Sequence, residues 1–385
     1  MYNHDPNRRG FVKAAGLALF ALGLDPIFLT RAAHAITRGE RAVARRKTLI
    51  CIFQRGAADG LSMIVPHGEP IYYRERSRIA IPRPGRPGGV LDLDGFFGMH
   101  PAMQPLHTLY GTRELAVVHA VGSPHVTRSH FDGQDYMESG TPGVKSTPDG
   151  WANRYLEHSP DRQHIPLRGV AMGSRLPRLL LGPAATIAVD NLETFQILRA
   201  ADTQTRVTAH RSLYPNSPFG RSMRRLAQLI KMDLGWEIGF ADSGGWDTHV
   251  NQGASQGQLA KVINDFSQTL AAFHTDLGDR MDDVLILTMS EFGRTVSENR
   301  TSGTDHGHGT ALLVLGGNTN GGRVLGTWPT LALESRFQGR DLAVTTDFRD
   351  LFGEILVKHL GTVDLSRVFP NYQSSANRWL GVLRS

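Results

Sequence analysis

The sequence predicts an α/β protein with three layers, in which a mainly parallel central sheet lies between two layers of helices. Short apolar runs rich in β-branched residues alternate with longer segments of helical apolar spacing, as in parallel sheets. The composition, 40% hydrophobic and 20% charged, is that of an ordinary globular protein. The 42 glycines and 20 prolines among 385 residues indicate many turns, which favours a loop-rich fold over a helical bundle.

The predicted elements follow one another from residue 48 onwards. Strands are predicted at the short apolar runs 48–53, 115–120, 236–241, 284–289 and 311–315, and within 168–190. Helices are predicted where the apolar spacing is helical or the flanking turns favour one, at 100–110, 133–138, 221–234, 256–276 and 347–360. In open α/β sheets, functional loops lie beyond the carboxyl ends of the strands, so the loops after these runs are the places to seek a site.

The first residues are organised like an export signal. The segment RRGFVK at 8–13 is a twin-arginine pattern, and an apolar run follows at 14–24. That run is shorter than the roughly 20 residues of a membrane span. Residues 33–35 (AHA) offer a cleavage site of the small-x-small kind. An amphipathic first helix is the alternative interpretation.

The predicted organisation has three parts: a twin-arginine signal peptide at 1–35, a linker at 36–47 and a single domain at 48–385. The twin-arginine translocase is the expected partner during export. The mature protein is then expected in the periplasm or outside the cell, without a stable membrane span.

The net charge and the cysteine content of the chain exclude some classes of function and structure. Removing residues 1–35 takes away four basic and two acidic side chains, so the formal charge falls from +6 to +4. The rest of the chain has no dense basic block, which argues against nucleic-acid binding but allows an anionic substrate. The single cysteine, Cys51, excludes an intramolecular disulfide and is expected in a buried strand.

Four loops that follow, or closely follow, a predicted strand contain side chains able to bind metal or to react. They supply Asp59; Arg128 with Ser129; Asp247 with His249; and Asp305 with His306 and His308. Glu291, after another strand, is a fifth possibility. Because the loops of a parallel sheet collect at one edge, we expect these side chains to meet. Mixed carboxylates and imidazoles suit zinc, manganese or iron, whereas oxygen ligands alone suit magnesium or calcium.

The densest of these loops is TDHGHG at 304–309, with three metal-capable side chains within four residues. Adjacent ligands on opposite faces of an extended segment can serve two neighbouring metal ions. A polar turn without metal is the alternative for this segment. For Asp59 or His249 considered alone, an ordinary structural or solvated side chain is the alternative.

On these motifs the chain resembles the domain-of-unknown-function 1501 family of exported, largely uncharacterised proteins. The motifs are the twin-arginine segment and the stretches 55–60, 127–132, 244–249, 290–295 and 305–309. A more distant resemblance is to the alkaline-phosphatase-like superfamily, which includes alkaline phosphatases, cofactor-independent phosphoglycerate mutases and sulfatases. It rests on a late Asp-His-Gly, an upstream Asp/His pair, a Ser at a helix start and an Asp after the first strand.

The superfamily resemblance implies an alkaline-phosphatase-like fold and two divalent metal ions. Their implied ligands are, for one ion, Asp59, Ser129, Asp305 and His306 and, for the other, Asp247, His249 and His308. Ser129 would be a metal-activated nucleophile, with Thr127 competing for that role, and Arg128 would bind the substrate's oxygens.

Two spacings depart from the superfamily pattern. One residue separates Asp247 from His249 where three are usual, and His308 follows His306 closely, with His359 as an alternative. The resemblance implies an exported metal-dependent hydrolase that cleaves phosphate or sulfate esters, using zinc, manganese, iron, magnesium or calcium. The alternative, favoured by the altered spacing, is a periplasmic binding or assembly protein that keeps the fold without turnover.

Overall fold

The computed structural model describes residues 46–159, 167–190, 213–233, 235–361 and 363–384. The predicted signal peptide and all but the last two residues of the predicted linker lie outside the described residues. Within the described residues, no helix is both long and apolar enough to span a membrane.

Twelve strands occur in the described part of the chain. They are β1 (Thr48–Gln54), β2 (Ile64–Val65), β3 (Leu91–Asp92), β4 (Gly98–Met99), β5 (Leu115–Gly122), β6 (Gly169–Met172), β7 (Thr186–Val189), β8 (Ile238–Ser243), β9 (Val284–Met289), β10 (Thr310–Gly316), β11 (Arg323–Leu325) and β12 (Thr346–Asp347). Nine of them form the central sheet, in the order β11-β5-β10-β9-β1-β8-β6-β7, with β12 also paired to β5. Strands β2, β4 and β3 form a small separate sheet.

Nine α-helices occur in the same residues. They are α1 (Gly60–Met63), α2 (Pro70–Glu75), α3 (Gln104–Gly111), α4 (His130–Ser139), α5 (Trp151–His158), α6 (Pro218–Lys231), α7 (Gln258–Leu277), α8 (Phe348–Ile355) and α9 (Leu365–Val368). The last predicted helix, 347–360, is only partly α-helical. Its α-helix, α8, ends at Ile355, and a π-helical turn follows at Leu356–Leu360. Helix α4 begins three residues earlier than predicted, immediately after Ser129.

The two faces of the central sheet pack against different helices, which confirms the three-layer prediction. Along β1, Ile50 and Ile52 contribute to one apolar core, while Leu49, Cys51 and Phe53 contribute to the other. This alternation is what a strand buried on both faces requires. Helices α3, α6 and α7 cover the first face, and α5 and α8 cover the second.

The sheet is mainly parallel, as predicted, but β10 is reversed. It lies between β5 and β9 and is antiparallel to both. The other strand pairs of this sheet are parallel. Thr310, the first residue of β10, is therefore paired with Val121 near the carboxyl end of β5. As a result, the segment before β10 reaches the same edge of the sheet as the loops that follow β1, β5, β8 and β9.

Candidate metal centre

Three histidines and one aspartate meet at the carboxyl edge of the central sheet. His130 is the first residue of α4, after β5; Asp247 and His249 follow β8; and His306 precedes β10. Single donor atoms of His130, Asp247 and His306 all lie within 4.8 Å of one another. His249 belongs to the same cluster, because its Nε2 lies 3.0 Å from Asp247 Oδ1 and 2.9 Å from His306 Nε2.

The outward nitrogen of each histidine is held by an oxygen acceptor. His130 Nδ1 lies 2.7 Å from Glu291 Oε1, His249 Nδ1 lies 3.2 Å from Asp305 Oδ1, and His306 Nδ1 lies 2.8 Å from the carbonyl of Arg128. A carboxylate or carbonyl oxygen accepts but cannot donate, so each Nδ1 carries the hydrogen. The three Nε2 lone pairs are therefore the ones directed into the cluster, as in a metal-ligating histidine with a supporting acceptor.

Among the described residues, a satisfactory partner is missing for His130 Nε2 and for the facing Nε2 atoms of His249 and His306. His130 Nε2 is buried and makes no hydrogen bond; its nearest acidic oxygen, Asp247 Oδ2, is 3.5 Å away. His249 Nε2 and His306 Nε2 face each other at 2.9 Å. Two lone pairs at that distance repel each other unless a cation or a proton lies between them. Three imidazoles and a carboxylate also form a suitable ligand set for zinc, manganese or iron, so these residues fit a divalent metal ion.

The charges of the cluster also suit a cation. Although burial alone raises the pKa of Asp247, the hydrogen bond and charge of Arg294 bring it below its usual value. Burial lowers the pKa of His306, which keeps this ring neutral near pH 7. The hydrogen bond to Glu291 raises the pKa of His130, so a metal ion would compete with a proton for this ring.

The close spacing of Asp247 and His249 is compatible with one shared site. Both side chains contact the same cluster, with Asp247 Oδ1 at 3.0 Å from His249 Nε2. A single intervening residue is therefore sufficient here, and the departure from the superfamily spacing does not prevent these two ligands from meeting.

Glycines allow the loops of the site to pack backbone against backbone. A Cβ on Gly307 would overlap the carbonyl group of Arg294, and one on Gly303 would overlap the carbonyl of His249. Gly56 has a φ of +112°, and a Cβ there would lie 2.6 Å from the amide nitrogen of Asp247. The glycine between His306 and His308 therefore serves loop packing.

Asp59 is fully buried and is occupied by another partner. Its oxygens lie 2.6 Å and 3.0 Å from the Arg76 guanidinium, and they also accept hydrogen bonds from Ser62 and Gln252. Although burial alone raises the pKa of Asp59, Arg76 brings it below its usual value. The Asp59 carboxylate is thus paired with an arginine and not directed towards the histidine cluster.

His308 and His359 also lie apart from the cluster. The His308 ring stacks on Phe337 with centroids 4.0 Å apart, and burial lowers its pKa to about 4. His359 Nε2 contacts the carbonyl of Thr48, at the amino end of β1 and so at the opposite edge of the sheet. Asp305 reaches the cluster only through His249, and Asn299 donates a 3.0 Å hydrogen bond to it.

Ser129 stands between two residues that contact the cluster. It is the exposed N-cap of α4, and its hydroxyl makes no capping hydrogen bond. Its neighbours are His130, in the cluster, and Arg128, whose carbonyl holds His306. Thr127 Oγ1 accepts a hydrogen bond from the Ser129 amide at 3.2 Å. The Arg128 guanidinium is paired with the buried Asp341, at 2.5 Å and 3.0 Å.

Two residues that matter to this geometry were not proposed from the sequence. The sequence pattern favours Ser129 over its neighbour His130, although imidazole is the commoner metal ligand. Arg294 belongs to the SEFGRT stretch at 290–295, which the sequence marks only as a family motif. Its side chain is fully buried beneath Asp247, with Nη2 at 2.5 Å from Oδ1. Glu291, named as a fifth possibility, is the acceptor for His130.

Comparison with known protein families confirms the family resemblance. The family described as "Protein of unknown function (DUF1501)" matches residues 192–378. The match covers a little under half of the 385 residues. The matched residues include Asp247, His249, Arg294 and His306. No curated protein matches the chain.

Three solved structures are similar to this chain. The C-terminal periplasmic domain of EcEptC from Escherichia coli, in complex with Zn, has a TM-score of 0.39 and 9% identity, covering 71% of this chain and 74% of its own. A protein in the alkaline phosphatase superfamily from Vibrio parahaemolyticus has a TM-score of 0.32 and 11% identity, covering 77% and 70%. The phosphonate monoester hydrolase of Agrobacterium radiobacter has a TM-score of 0.35 and 10% identity, covering 87% and 79%. At these identities the likeness concerns the fold alone.

Proposed function

We propose that this protein is an exported, metal-dependent hydrolase of phosphate or sulfate esters. The observation that carries the proposal is the convergence of three Nε2 lone pairs, from His130, His249 and His306, on the carboxylate of Asp247. The site is half open, since the Asp247 side chain keeps 47% of its exposure and a ligand can approach it. Buried carboxylates with structural roles, such as Asp59, lack that access.

A divalent ion held by these four residues would act as a Lewis acid and lower the pKa of a hydroxyl bound to it. The chain's own residues prepare the site for that chemistry. Glu291 and the Arg128 carbonyl keep the hydrogens of His130 and His306 on the outer side of each ring. Arg294 keeps Asp247 ionised through its hydrogen bond and charge.

Ser129 is the proposed nucleophile. Its hydroxyl is exposed beside His130 and at the amino end of α4, where backbone N–H groups without helical partners favour an anion. Attack by Ser129 Oγ on phosphorus or sulfur would release the ester's alcohol. Water would then hydrolyse the modified serine. The substrate's negative oxygens would face the first turn of α4.

One observation favours the alternative, a binding or assembly protein without turnover. The Arg128 guanidinium, expected to hold the substrate's oxygens, already donates to the buried carboxylate of Asp341. A substrate would have to compete with that ion pair. In this alternative the metal centre would hold an anionic ligand or stabilise the loops.

Activity assays on the purified mature chain test the proposal. The protein is supplied in turn with Zn²⁺, Mn²⁺, Fe²⁺, Mg²⁺ or Ca²⁺ and assayed on a panel of aryl phosphates, phosphodiesters and sulfates. We expect hydrolysis that a chelator abolishes and metal restores. In Ser129→Ala we expect kcat to fall by about 10³-fold or more, because the nucleophile is lost.

Thr127→Ala is the matched control, since this hydroxyl is two residues away in the same loop. Its kcat should stay of the same order as that of the unmodified protein. An active enzyme whose Ser129→Ala variant keeps full activity would remove Ser129 from the mechanism. A metal-loaded protein inert towards every ester would favour the binding alternative.

Export is a separate part of the proposal and has its own test. A fusion of residues 1–47 to a reporter that is active only after folded export should depend on the twin-arginine translocase. Replacing Arg8 and Arg9 by Lys should abolish that export. Export of the Lys variant at the unmodified level would contradict the signal assignment.

A further inference from the structure

A cation that belongs to the chain already lies at the base of the site. The Arg294 side chain is fully buried. Its guanidinium donates hydrogen bonds to four backbone carbonyls and to Asp247 Oδ1; the carbonyls are those of Gly56 (2.5 Å), Ala57 (2.8 Å), Thr304 (3.0 Å) and Trp246 (3.2 Å). Five oxygens from three separate segments thus surround one fixed positive charge.

A second metal ion beside Asp247 would need oxygen ligands such as these, and the Arg294 guanidinium already occupies them. A guanidinium has five N–H donors in a planar fork, and Arg294 uses them on these oxygens, with Nη1 also 3.4 Å from His249 Nε2. Removing a buried, hydrogen-bonded arginine would cost each of these carbonyls a hydrogen bond. The Oδ1 side of Asp247 is therefore shared between Arg294 and the cluster.

The second carboxylate expected to bind metal is neutralised in the same way. Asp59 pairs with Arg76, and both side chains are almost fully buried, at 1% and 0% exposure. Arg76 also donates to the carbonyls of Thr295 and Val296, close in sequence to Arg294. Two buried arginines thus occupy the two carboxylates from which a pair of metal sites would be built.

The charge count leads to the same conclusion. Three carboxylates surround the histidines: Asp247 in the cluster, and Glu291 and Asp305 behind His130 and His249. With Arg294 present, a single divalent ion leaves this group without net charge. A second divalent ion would leave it with two positive charges, and among the described residues no further carboxylate contacts these histidines to offset them.

We infer that this chain binds one divalent metal ion, at His130, Asp247, His249 and His306, and that the Arg294 guanidinium takes the place of a second ion. The inference rests on the metal centre of the proposed function and fixes its stoichiometry. Arg294 acts as a positioning residue: it holds Asp247 and ties the loops after β1 and β8 to the loop before β10.

Metal counting on the purified mature chain tests this inference independently of activity. The chain is dialysed against excess Zn²⁺ or Mn²⁺, freed of loosely bound ions and analysed by mass spectrometry for metal per chain. We expect one ion. Two ions would overturn the inference but leave the proposed hydrolase intact. No ion at all would overturn the metal centre, and with it both proposals.

Electron paramagnetic resonance of the Mn²⁺-loaded protein gives a second readout. A single bound Mn²⁺ gives an isolated six-line spectrum, which is the expected result. Two ions about 4 Å apart, the spacing of two-metal sites, would couple and give a multiline spectrum, which would overturn the inference. In His306→Gln the bound signal should disappear, whereas an unchanged signal would mean that the ion lies elsewhere.

Discussion

Glu291 Oε1 lies 2.7 Å from His130 Nδ1 and accepts the hydrogen of that ring. The carboxylate is almost fully buried and also accepts hydrogen bonds from Gln134 and from the Gly56 amide. His130 is thereby fixed in one orientation, with the opposite nitrogen directed into the cluster. The ligand and its support come from loops after two different strands.

Weakening this support should weaken metal binding without removing a ligand. In Glu291→Gln the acceptor for His130 loses its charge, so we expect metal affinity to fall roughly 10–100-fold, as measured by isothermal titration calorimetry. Glu298→Gln is the matched control, because Glu298 pairs with the exposed Arg78. Equal affinity in both variants would show that Glu291 does not act through His130.

The two histidines of the motif should behave differently. His306→Gln removes an Nε2 donor from the cluster, so the bound metal measured per chain should fall well below one. His308→Gln should keep the metal, because the His308 ring stacks on Phe337 instead. Loss of metal in His308→Gln, with the fold intact by circular dichroism, would assign His308 to the site after all.

A methyl group at Gly307 should push the loop before β10 away from the loop that carries Arg294. In Gly307→Ala the new Cβ would overlap the backbone of Arg294, so the loop must move. We expect the free energy of unfolding to fall by about 1–3 kcal/mol and metal affinity to fall with it. Gly244→Ala is the control, since a Cβ there meets nothing within 4 Å. Similar losses in both variants, measured by denaturant titration, would contradict this account.

Buried His119 should make stability depend on pH. Burial lowers the pKa of His119 from 6.5 to about 4, and its two nitrogens contact the Ile64 carbonyl and the Ala120 amide, which suits the neutral ring. The unfolded chain therefore binds the extra proton first as pH falls. The contribution of the neutral His119 ring to the free energy of unfolding is complete above pH 6.5 and decreases as the pH falls from 6.5 to 4. The full decrease amounts to about 3 kcal/mol.

His119→Asn tests this assignment, because asparagine can still accept the Ala120 amide but does not titrate. The variant should be less stable than the unmodified protein at pH 7. Its free energy of unfolding, from urea titrations at several pH values, should fall less steeply between pH 6.5 and 4. Parallel pH curves for the two proteins would show that His119 does not contribute.

Much of the fold and part of the site could be predicted from the sequence. Strand periodicity located β1, β5, β8, β9 and β10, because strands buried on one or both faces leave a strong apolar signal. It missed the two- and three-residue strands, which are set by neighbouring segments. Asp247, His249 and His306 are expected near one edge of the sheet from their positions beside predicted strands, and the structure brings their side chains together.

What sequence patterns did not reveal is which polar groups pair with each other. Asp59 looked available in the sequence, but Arg76, 17 residues later, turns back onto it. His308 looks equivalent to His306 in the sequence, but its ring stacks on Phe337 and does not join the cluster. Such pairings depend on tertiary contacts, which neither composition nor spacing encodes.

The reversed direction of β10 has a consequence for the order in which the site is made. Because β10 lies between β9 and β5, the segment that carries His306 ends at the same sheet edge as the earlier loops. His306 is the last of the four cluster residues along the chain, so the proposed ligand set is complete only once this residue has been synthesised. Metal uptake at the proposed site should therefore come late, after most of the chain has left the ribosome.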